Sequence, residues 1–390
     1  MILKNLKKAK PDPIFGLYEA FLQDKRREKI NLGIGIYTDQ KLHHWPLPCV
    51  EKARQELAQK PVTADYLPIE GEEKFTKLLS AEILGKNLSN KIVQVQTLGG
   101  TGVLSLAASF CSELGIQKVF FPDPTWANHK NIFLQNSFTL ASYSYYCSKE
   151  QKITFSELFA VLQKQEEPSI VLLHAVCHNP TGQDFSKEEW GKLADLFRTK
   201  KNFIPLFDLA YHGLGEDEVT DLYPIRLFEK ENFPFLVAYS CSKNFGLYQH
   251  RLGMLLGHFE EEETAEKALS QWKFLIRANY SNPPSFGAQL VKKILEKESL
   301  KKAWYLDLQT MRERITSART HFTKALKNTS LNYLLKQKGM FSLLPLSAKQ
   351  TEELKEKYAI YLPASGRINF CGINENNLEK ILQALHKVGL

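Results

Sequence analysis

The 390-residue chain has no apolar run long enough to span a membrane, no low-complexity tract, no internal repeat and no linker-like stretch. Those absences exclude a helical membrane protein and a repeat array. Its start, MILKNLKKAK, lacks the apolar core of a secretory signal, so the expectation is a cytoplasmic protein with no membrane partner. Cysteines are sparse and scattered. Cys49, Cys111, Cys147, Cys177, Cys241 and Cys371 include no C-x-x-C pair, which argues against both a disulfide framework and a thiolate zinc site. The histidines supply no metal site either: His43-His44 and His174/His178 lack a carboxylate at ligand spacing, and the second pair falls on an expected strand and turn, not on one helical face. Acidic residues are the scarcer charge, 43 against 51 Lys and Arg, for a net charge of +8. That excess does not indicate a nucleic-acid partner. The lysines lie beside glutamates on expected helices at 51–60 and 292–302, and no recognition motif accompanies them. The N-terminal Lys4, Lys7, Lys8 and Lys10 read as a solvated arm, and a modest positive field suits anionic substrates.

What is present is an ordinary soluble composition, 43% hydrophobic and 24% charged, in a chain long enough for two domains. Short apolar runs at 92–97, 118–121, 139–146, 169–176, 203–208, 234–239 and 252–257 alternate with helical patterns. This alternation predicts an α/β fold, a mostly parallel sheet with crossover helices. Ser186 with Glu189 forms a possible capping box, with Trp190, Leu193, Leu196 and Phe197 on the buried face behind it. Apolar spacing at 14–30 predicts a helix, and a long helical region follows at 286–327. The tail, with short strands from about 331 and helices at 347–357 and 375–388, reads as a separate small domain.

The most informative segment is SCSKNFGLYQHRLG, residues 240–253. Lys243 stands at the mouth of the apolar run 235–239, where open α/β sheets bind their ligands. Ser240 and Ser242 flank it, and Arg251 follows. An amine able to form a Schiff base, two hydroxyls and a fixed cation describe a site for an aldehyde that carries a phosphate, and pyridoxal 5′-phosphate is the candidate. Asp208 ends the run 203–207, placed to pair with the cofactor's ring nitrogen and make the ring an electron sink. Tyr211 lies three residues on. LGGTG at 98–102 follows a strand and opens a helix, so its backbone N–H groups can cradle an anion. Arg251 can add bidentate contacts. Asn179, in HNPTG, can donate to the cofactor's phenolic oxygen, as can Tyr211.

In this order, and over most of the chain from about Asn31 onward, the motifs resemble those of the aspartate and aromatic-amino-acid aminotransferases, a branch of the fold-type I pyridoxal-phosphate enzymes. The resemblance implies a large cofactor-binding domain at 46–310, a small domain of 13–45 with 311–390, an arm at 1–12 and a homodimer with shared active sites. It assigns Lys243 as the Schiff-base lysine and proton shuttle. Gly100, Thr101, Ser240, Ser242 and Arg251 become phosphate contacts, and Tyr66 in DYLPIEG reaches the neighbouring subunit's phosphate. Trp126 in PTWANH stacks on the ring and His129 supports the carboxylate at the ring nitrogen. For substrate, Arg367 in SGRIN binds the α-carboxylate opposite the Gly35 backbone, with Trp126 and Asn179 also in contact, while Arg277 reaches a distal carboxylate across the dimer. A planar guanidinium suits a carboxylate better than an ammonium does. The implied reaction is transamination between L-aspartate and 2-oxoglutarate; the alternative is an aromatic amino acid aminotransferase, or dual specificity. This sequence departs from the family at Gly99, usually serine, at His250, often glutamate, and in the HHWPLP segment at 43–48. A decarboxylase, lyase or racemase on the same scaffold would have no use for Arg277, and a non-catalytic relative would lose the lysine.

Overall fold

A computed structural model describes residues 2–9, 11–59, 64–85 and 88–390. Its centre is a seven-stranded sheet of β1 Ile92–Leu98, β2 Lys118–Asp123, β3 Thr139–Ser144, β4 Ser169–His174, β5 Phe203–Leu209, β6 Phe235–Ser240 and β7 Leu252–His258. The spatial order is β1-β7-β6-β5-β4-β2-β3. Every residue of β4, β6 and β7 is buried, as expected of strands covered on both faces. One apolar core, with Trp190, Phe207, Phe228 and Trp304, fills one side. The other holds Val103, Leu106, Trp272 and Ile276, from helices α1 Gly99–Glu113 and α3 Glu262–Asn279.

Each expected strand is present, and two stop two residues short of the expected end. β4 stops soon after His174: the Ala175 amide still donates to Asp208 O on the neighbouring strand, but Cys177 and His178 donate to the half-buried Asp184 carboxylate instead. The run at 139–146 stops at Ser144, and Tyr146–Cys147 turns away to pair with Lys152–Ile153. Helix α2, Lys187–Thr199, has the expected capping box: Glu189 N–H donates to Ser186 Oγ at 3.2 Å, and Ser186 N–H to Glu189 Oε2 at 2.7 Å. It buries Trp190, Leu193, Leu196 and Phe197. The helical region at 286–327 is two helices, α4 Ser285–Glu296 and α5 Glu298–Ala325, broken where Lys297 is extended at φ −100°, ψ 108°. One extended residue leaves the apolar spacing intact, so the pattern carries no sign of the break. The helix expected at 51–60 spans Pro48–Ala58, with Lys293 and Lys297 paired to its Glu56; Lys10 and Lys60 lie outside the described residues. The helix expected within 14–30 is shorter, Phe15–Gln23.

Towards the C-terminus, Phe341–Leu343 pairs antiparallel with Arg367–Asn369. Ile30–Asn31 pairs parallel with Ile360–Tyr361, and Asn369 N–H donates to Leu32 O at 2.8 Å. These bonds stitch an early segment of the chain into a late one.

Strand β7 is antiparallel to both neighbours, β1 and β6, while every other pairing in the sheet is parallel. Its first residues therefore lie at the edge where the other six strands end. Leu252 pairs with Leu98, and Gly253 with both Thr97 and Ser240. This reversal delivers Arg251 to the ends of β1 and β6. The crossing is tight: a Cβ on Gly253 would lie 2.8 Å from the carbonyl carbon of Gly99 and 2.9 Å from the carbonyl oxygen of Tyr239. Gly253→Ala is expected to cost about 1–3 kcal/mol through overpacking. The check is a lower urea midpoint with an unchanged slope, and an unaltered midpoint would contradict the steric reading.

Candidate active site

The carboxyl edge of the sheet gathers most of the residues singled out in the sequence. Asp208 sits near the end of β5, and in the β4–β5 register it is directly opposite His174. Its Oδ2 accepts from His129 Nε2 at 3.0 Å. His129 Nδ1 lies 2.8 Å from Thr125 Oγ1, which lies 3.1 Å from His174 Nε2. His174 Nδ1 in turn accepts from the Asn179 N–H at 3.4 Å. Partner chemistry sets the direction of every bond: backbone amide to His174, His174 to Thr125, Thr125 to His129, His129 to Asp208. Burial pushes the Asp208 carboxyl up, but the hydrogen bond from His129 and the potentials of His129, His174 and Lys243 outweigh it, and the net shift is downward. His174, fully enclosed, is pushed down to about 3 by burial and is neutral.

Thr125 and His174 are the residues that sequence reasoning missed. PTWANH spaces Thr125 and His129 four apart at the start of a helix, but nothing local points to His174. Linear spacing had also left His174 without a carboxylate; the fold supplies Asp208. Ligand atoms of His129, His174 and Asp208 lie within 4.8 Å of one another, a grouping that could hold a metal ion, but His129 Nε2, His174 Nε2 and Asp208 Oδ2 are already hydrogen-bonded. The rings of His174 and His178 also meet, 4.3 Å apart, without sharing a helix.

Lys243 follows β6 by three residues, and its Nζ lies 5.3 Å from the centroid of the buried Tyr211 ring. Burial lowers its pKa from 10.5 to about 8, assisted by Arg251 and Arg367 and opposed by Asp208. A lysine in that range is a ready nucleophile near neutral pH. Trp126 is half-buried and meets His129 edge to face at 5.1 Å.

At the junction of β1, β6 and β7 an anion cradle takes shape. Arg251 Nη1 donates to Ser242 Oγ at 3.3 Å and to Tyr248 O at 3.1 Å. Gly99 has φ +70°, and a Cβ there would lie 2.5 Å from Arg251 Nη2. Glycine at this position leaves room for the guanidinium that a serine side chain would take. Gly100 packs against Ser240, whose Cβ would be 3.2 Å from an added methyl. Gly100 and Thr101 begin the 15-residue helix α1, so free N–H groups and the positive end of the helix face the same space. Ser240, Ser242 and Arg251 with this helix start fit a phosphate, and Lys243 and Asp208 beside them fit an aldehyde-bearing pyridine ring.

Arg367 completes the opposite wall. Its Nη1 donates to Asn179 Oδ1 at 3.0 Å, its Nη2 to Gly33 O at 2.6 Å, and its guanidinium lies 4.1 Å from the Phe341 ring centroid. Phe341 also packs where a Cβ on Gly35 would sit, at 3.2 Å. The Arg367 Nε has no partner, and the side chain forms no ion pair among the described residues. Burial lowers its pKa to about 10. A desolvated cation with an unused donor fits a carboxylate ligand.

Tyr66 and Arg277 are elsewhere. Tyr66 is 92% exposed. Arg277, exposed near the end of α3, donates to Ser281 Oγ. The two neighbourhoods are joined, since Asn282 Nδ2 donates to Leu67 O at 3.1 Å and Lys273 pairs with Glu70 at 3.0 Å.

The electrostatics of the site are open to titration. In protein stripped of any carbonyl ligand, labelling of Lys243 by an amine reagent should show a midpoint near 8. Asp208→Asn removes an attraction that favours the ammonium, so the midpoint should fall further. Peptide mass spectrometry across a pH series measures both, and a midpoint that rises in the variant would refute the assigned sign.

Comparison with known proteins agrees with this geometry. Residues 27–385 match the family described as aminotransferase class I and II. The chain is 39% identical to the aspartate aminotransferase of Haemophilus influenzae, over 99% of this chain and 100% of that one. It is 37% identical to the aromatic-amino-acid aminotransferase of Escherichia coli, with 97% of each covered. Among solved structures, the aromatic-amino-acid aminotransferase of Burkholderia pseudomallei, covalently bound to pyridoxal phosphate, superposes with a TM-score of 0.95 at 34% identity, covering 100% and 99% of the two chains. The cytoplasmic aspartate aminotransferase of Saccharomyces cerevisiae superposes at 0.96 and 33% identity, covering 99% and 98%. With a sheet, an anion cradle and a lysine–carboxylate pair arranged in this way, and with relatives matched end to end, the chain belongs to the class I and II aminotransferases.

Proposed function

We propose that this protein is a pyridoxal 5′-phosphate-dependent transaminase that moves the amino group of L-aspartate to 2-oxoglutarate, giving oxaloacetate and L-glutamate. The observation that carries this reading is a pair of oppositely tasked cations: half-buried Lys243, over the Tyr211 ring with its pKa depressed, and buried Arg367, with an unused donor. When bound, the cofactor supplies an aldehyde for the substrate amine and a ring that withdraws electrons from the substrate carbon. The protein's own residues do the rest. Lys243 would hold the cofactor through its aldehyde and, once displaced by the substrate amine, would serve as the base and acid that takes and returns the proton at the substrate Cα. Asp208, ionised and fixed by His129, holds a proton on the ring nitrogen. Tyr211 and Asn179 donate to the ring's phenolic oxygen, and Trp126 covers the ring face. Gly100, Thr101, Ser240, Ser242 and Arg251 hold the phosphate. Arg367, with the Gly35 backbone opposite and Asn179 and Trp126 in contact, orients the α-carboxylate. That orientation is where much of the rate arises, because it removes rotational freedom before the proton moves.

Tyr66 and Arg277 belong, in this reading, to the site of a second copy in a homodimer, Tyr66 on its phosphate and Arg277 on the substrate's distal carboxylate. Support comes from their exposure on linked segments of one surface. The same reading divides the chain into an arm at 1–12, a large domain at 46–310 and a small one of 13–45 with 311–390, in a cytoplasmic enzyme. Relatives named for aromatic substrates match about as closely as those named for aspartate, so tyrosine or phenylalanine is the second reading.

Lys243→Ala should abolish multiple turnover with a coupled oxaloacetate assay while the protein stays folded by circular dichroism; sustained turnover without added amine would overturn the assignment. Arg277→Asp should depress kcat/KM for aspartate at least about a hundredfold more than for phenylalanine, since a like charge would replace a charge-assisted pair. Equal losses on both substrates would remove Arg277 from substrate recognition.

A further inference from the structure

Beneath the site runs a second polar chain that the mechanism above does not use. His212 and Asn244 each follow a site residue, Tyr211 and Lys243 respectively. Both are fully buried, as is Tyr239 on β6 between them. The Asn244 Nδ2 donates to Tyr239 Oη at 2.7 Å, and Tyr239 Oη lies 3.0 Å from His212 Nδ1. His212 Nε2 lies 2.8 Å from the carbonyl oxygen of Glu218. A carbonyl only accepts, so the proton of the neutral imidazole sits on Nε2, and Nδ1 accepts from the Tyr239 hydroxyl. The hydroxyl thus donates its one hydrogen bond to His212 and accepts one from Asn244. From helix α5, Trp304 Nε1 donates to the Asn244 carbonyl at 2.7 Å and its ring stacks on Phe245 at 4.4 Å. The backbone that carries Lys243 is therefore gripped from both sides.

Packing alone does not require this. Tyr239 lies on the face of β6 that contributes Phe235 and Val237 to an apolar core, where a phenylalanine would fill most of the same volume. Burying a phenol, an imidazole and a carboxamide costs free energy that their bonds to one another only roughly offset. The Asn244 Oδ1 is left without a partner among the described residues, so the chain is not a gain in bonding over apolar packing; what its Oη-centred bonds add is fixed geometry.

We propose that Tyr239 and His212 are positioning residues, a hydrogen-bonded strut that holds Lys243 at its distance from Tyr211 and Asp208. The inference rests on the transaminase reading for its kinetic consequence, but not for its structural one. Tyr239→Phe deletes the hydroxyl that both bonds share. It should lower kcat about tenfold with KM for both substrates within about twofold, the pattern expected when a reacting group is misplaced but binding is intact. In protein free of cofactor, the labelling midpoint of Lys243 should move from about 8 back towards 10.5, as the loosened side chain reaches water. His212→Leu should reproduce both effects. His212→Asn, whose carboxamide oxygen can accept from Tyr239 in place of Nδ1, should restore them most of the way.

Unchanged kcat and labelling midpoint in Tyr239→Phe and His212→Leu, whatever happens to Tm, would overturn the strut. Should Tyr239→Phe fail to fold, the His212→Leu and His212→Asn pair decides alone: equal behaviour of the two overturns the proposal, and rescue by asparagine supports it. A wild-type protein without transaminase activity would instead defeat the functional reading, and the labelling experiment would still judge the strut.

Discussion

An ionised carboxylate held near the end of a largely buried strand is the constraint on which this molecule turns. Left alone, Asp208 would take up a proton rather than keep its charge away from water. It stays ionised because a hydrogen-bond line from the Asn179 amide through His174, Thr125 and His129 points donor after donor at it. Each bond in such a line polarises the next in the low local dielectric. The fixed negative charge then acts on its surroundings. It opposes, without cancelling, the desolvation that lowers the Lys243 pKa, and it defines where a ring nitrogen can carry a proton. One charge thereby limits how far burial lowers the lysine pKa and fixes the electronic state of whatever lies between them.

The second organising feature is directional. Six strands end at one edge and β7 begins there, so residues from β1, β6 and β7 meet around a single small volume. Two glycines make the meeting sterically feasible. Gly253 lets β7 approach the Gly99 carbonyl, and Gly99, at positive φ, leaves space for the Arg251 guanidinium. The departure from the family's usual serine at 99 has its local counterpart in that close approach. Across the site, Arg367 is held by Asn179, Gly33 and the Phe341 face but keeps an unpaired Nε, a state that favours capture of an anion.

Much of this was legible in the sequence, and what was not has physical reasons. Apolar runs alternating with helical patterns gave all seven strands; β4, β6 and β7, covered on both faces, read as continuous hydrophobic stretches, whereas β3 is largely open. Asp208 and Lys243 could be placed at strand ends from those runs alone. Pairing is another matter. His174 and Asp208 are neighbours only through the β4–β5 register, and nothing near either residue announces the other. The reversal of β7 is likewise a long-range fact, and the close approach of Arg251 to Gly99 follows from it. The break at Lys297 escaped notice because it displaces no apolar position. Arg277 and Tyr66 had roles assigned by resemblance alone, since a single chain exposes them on a surface that physical reasoning would class as solvated.

The position of β7 also bears on synthesis. The chain emerges in order, so β1 is complete long before its sole sheet partner exists, and β6 finishes with one side unoccupied. Until residues 252–258 slot between them, both present bare amides and carbonyls to any passing strand. A ribosome that stalls before this point leaves a product with two adhesive margins and no pocket for an anion. Holdase chaperones that shield such margins would therefore matter most during that interval.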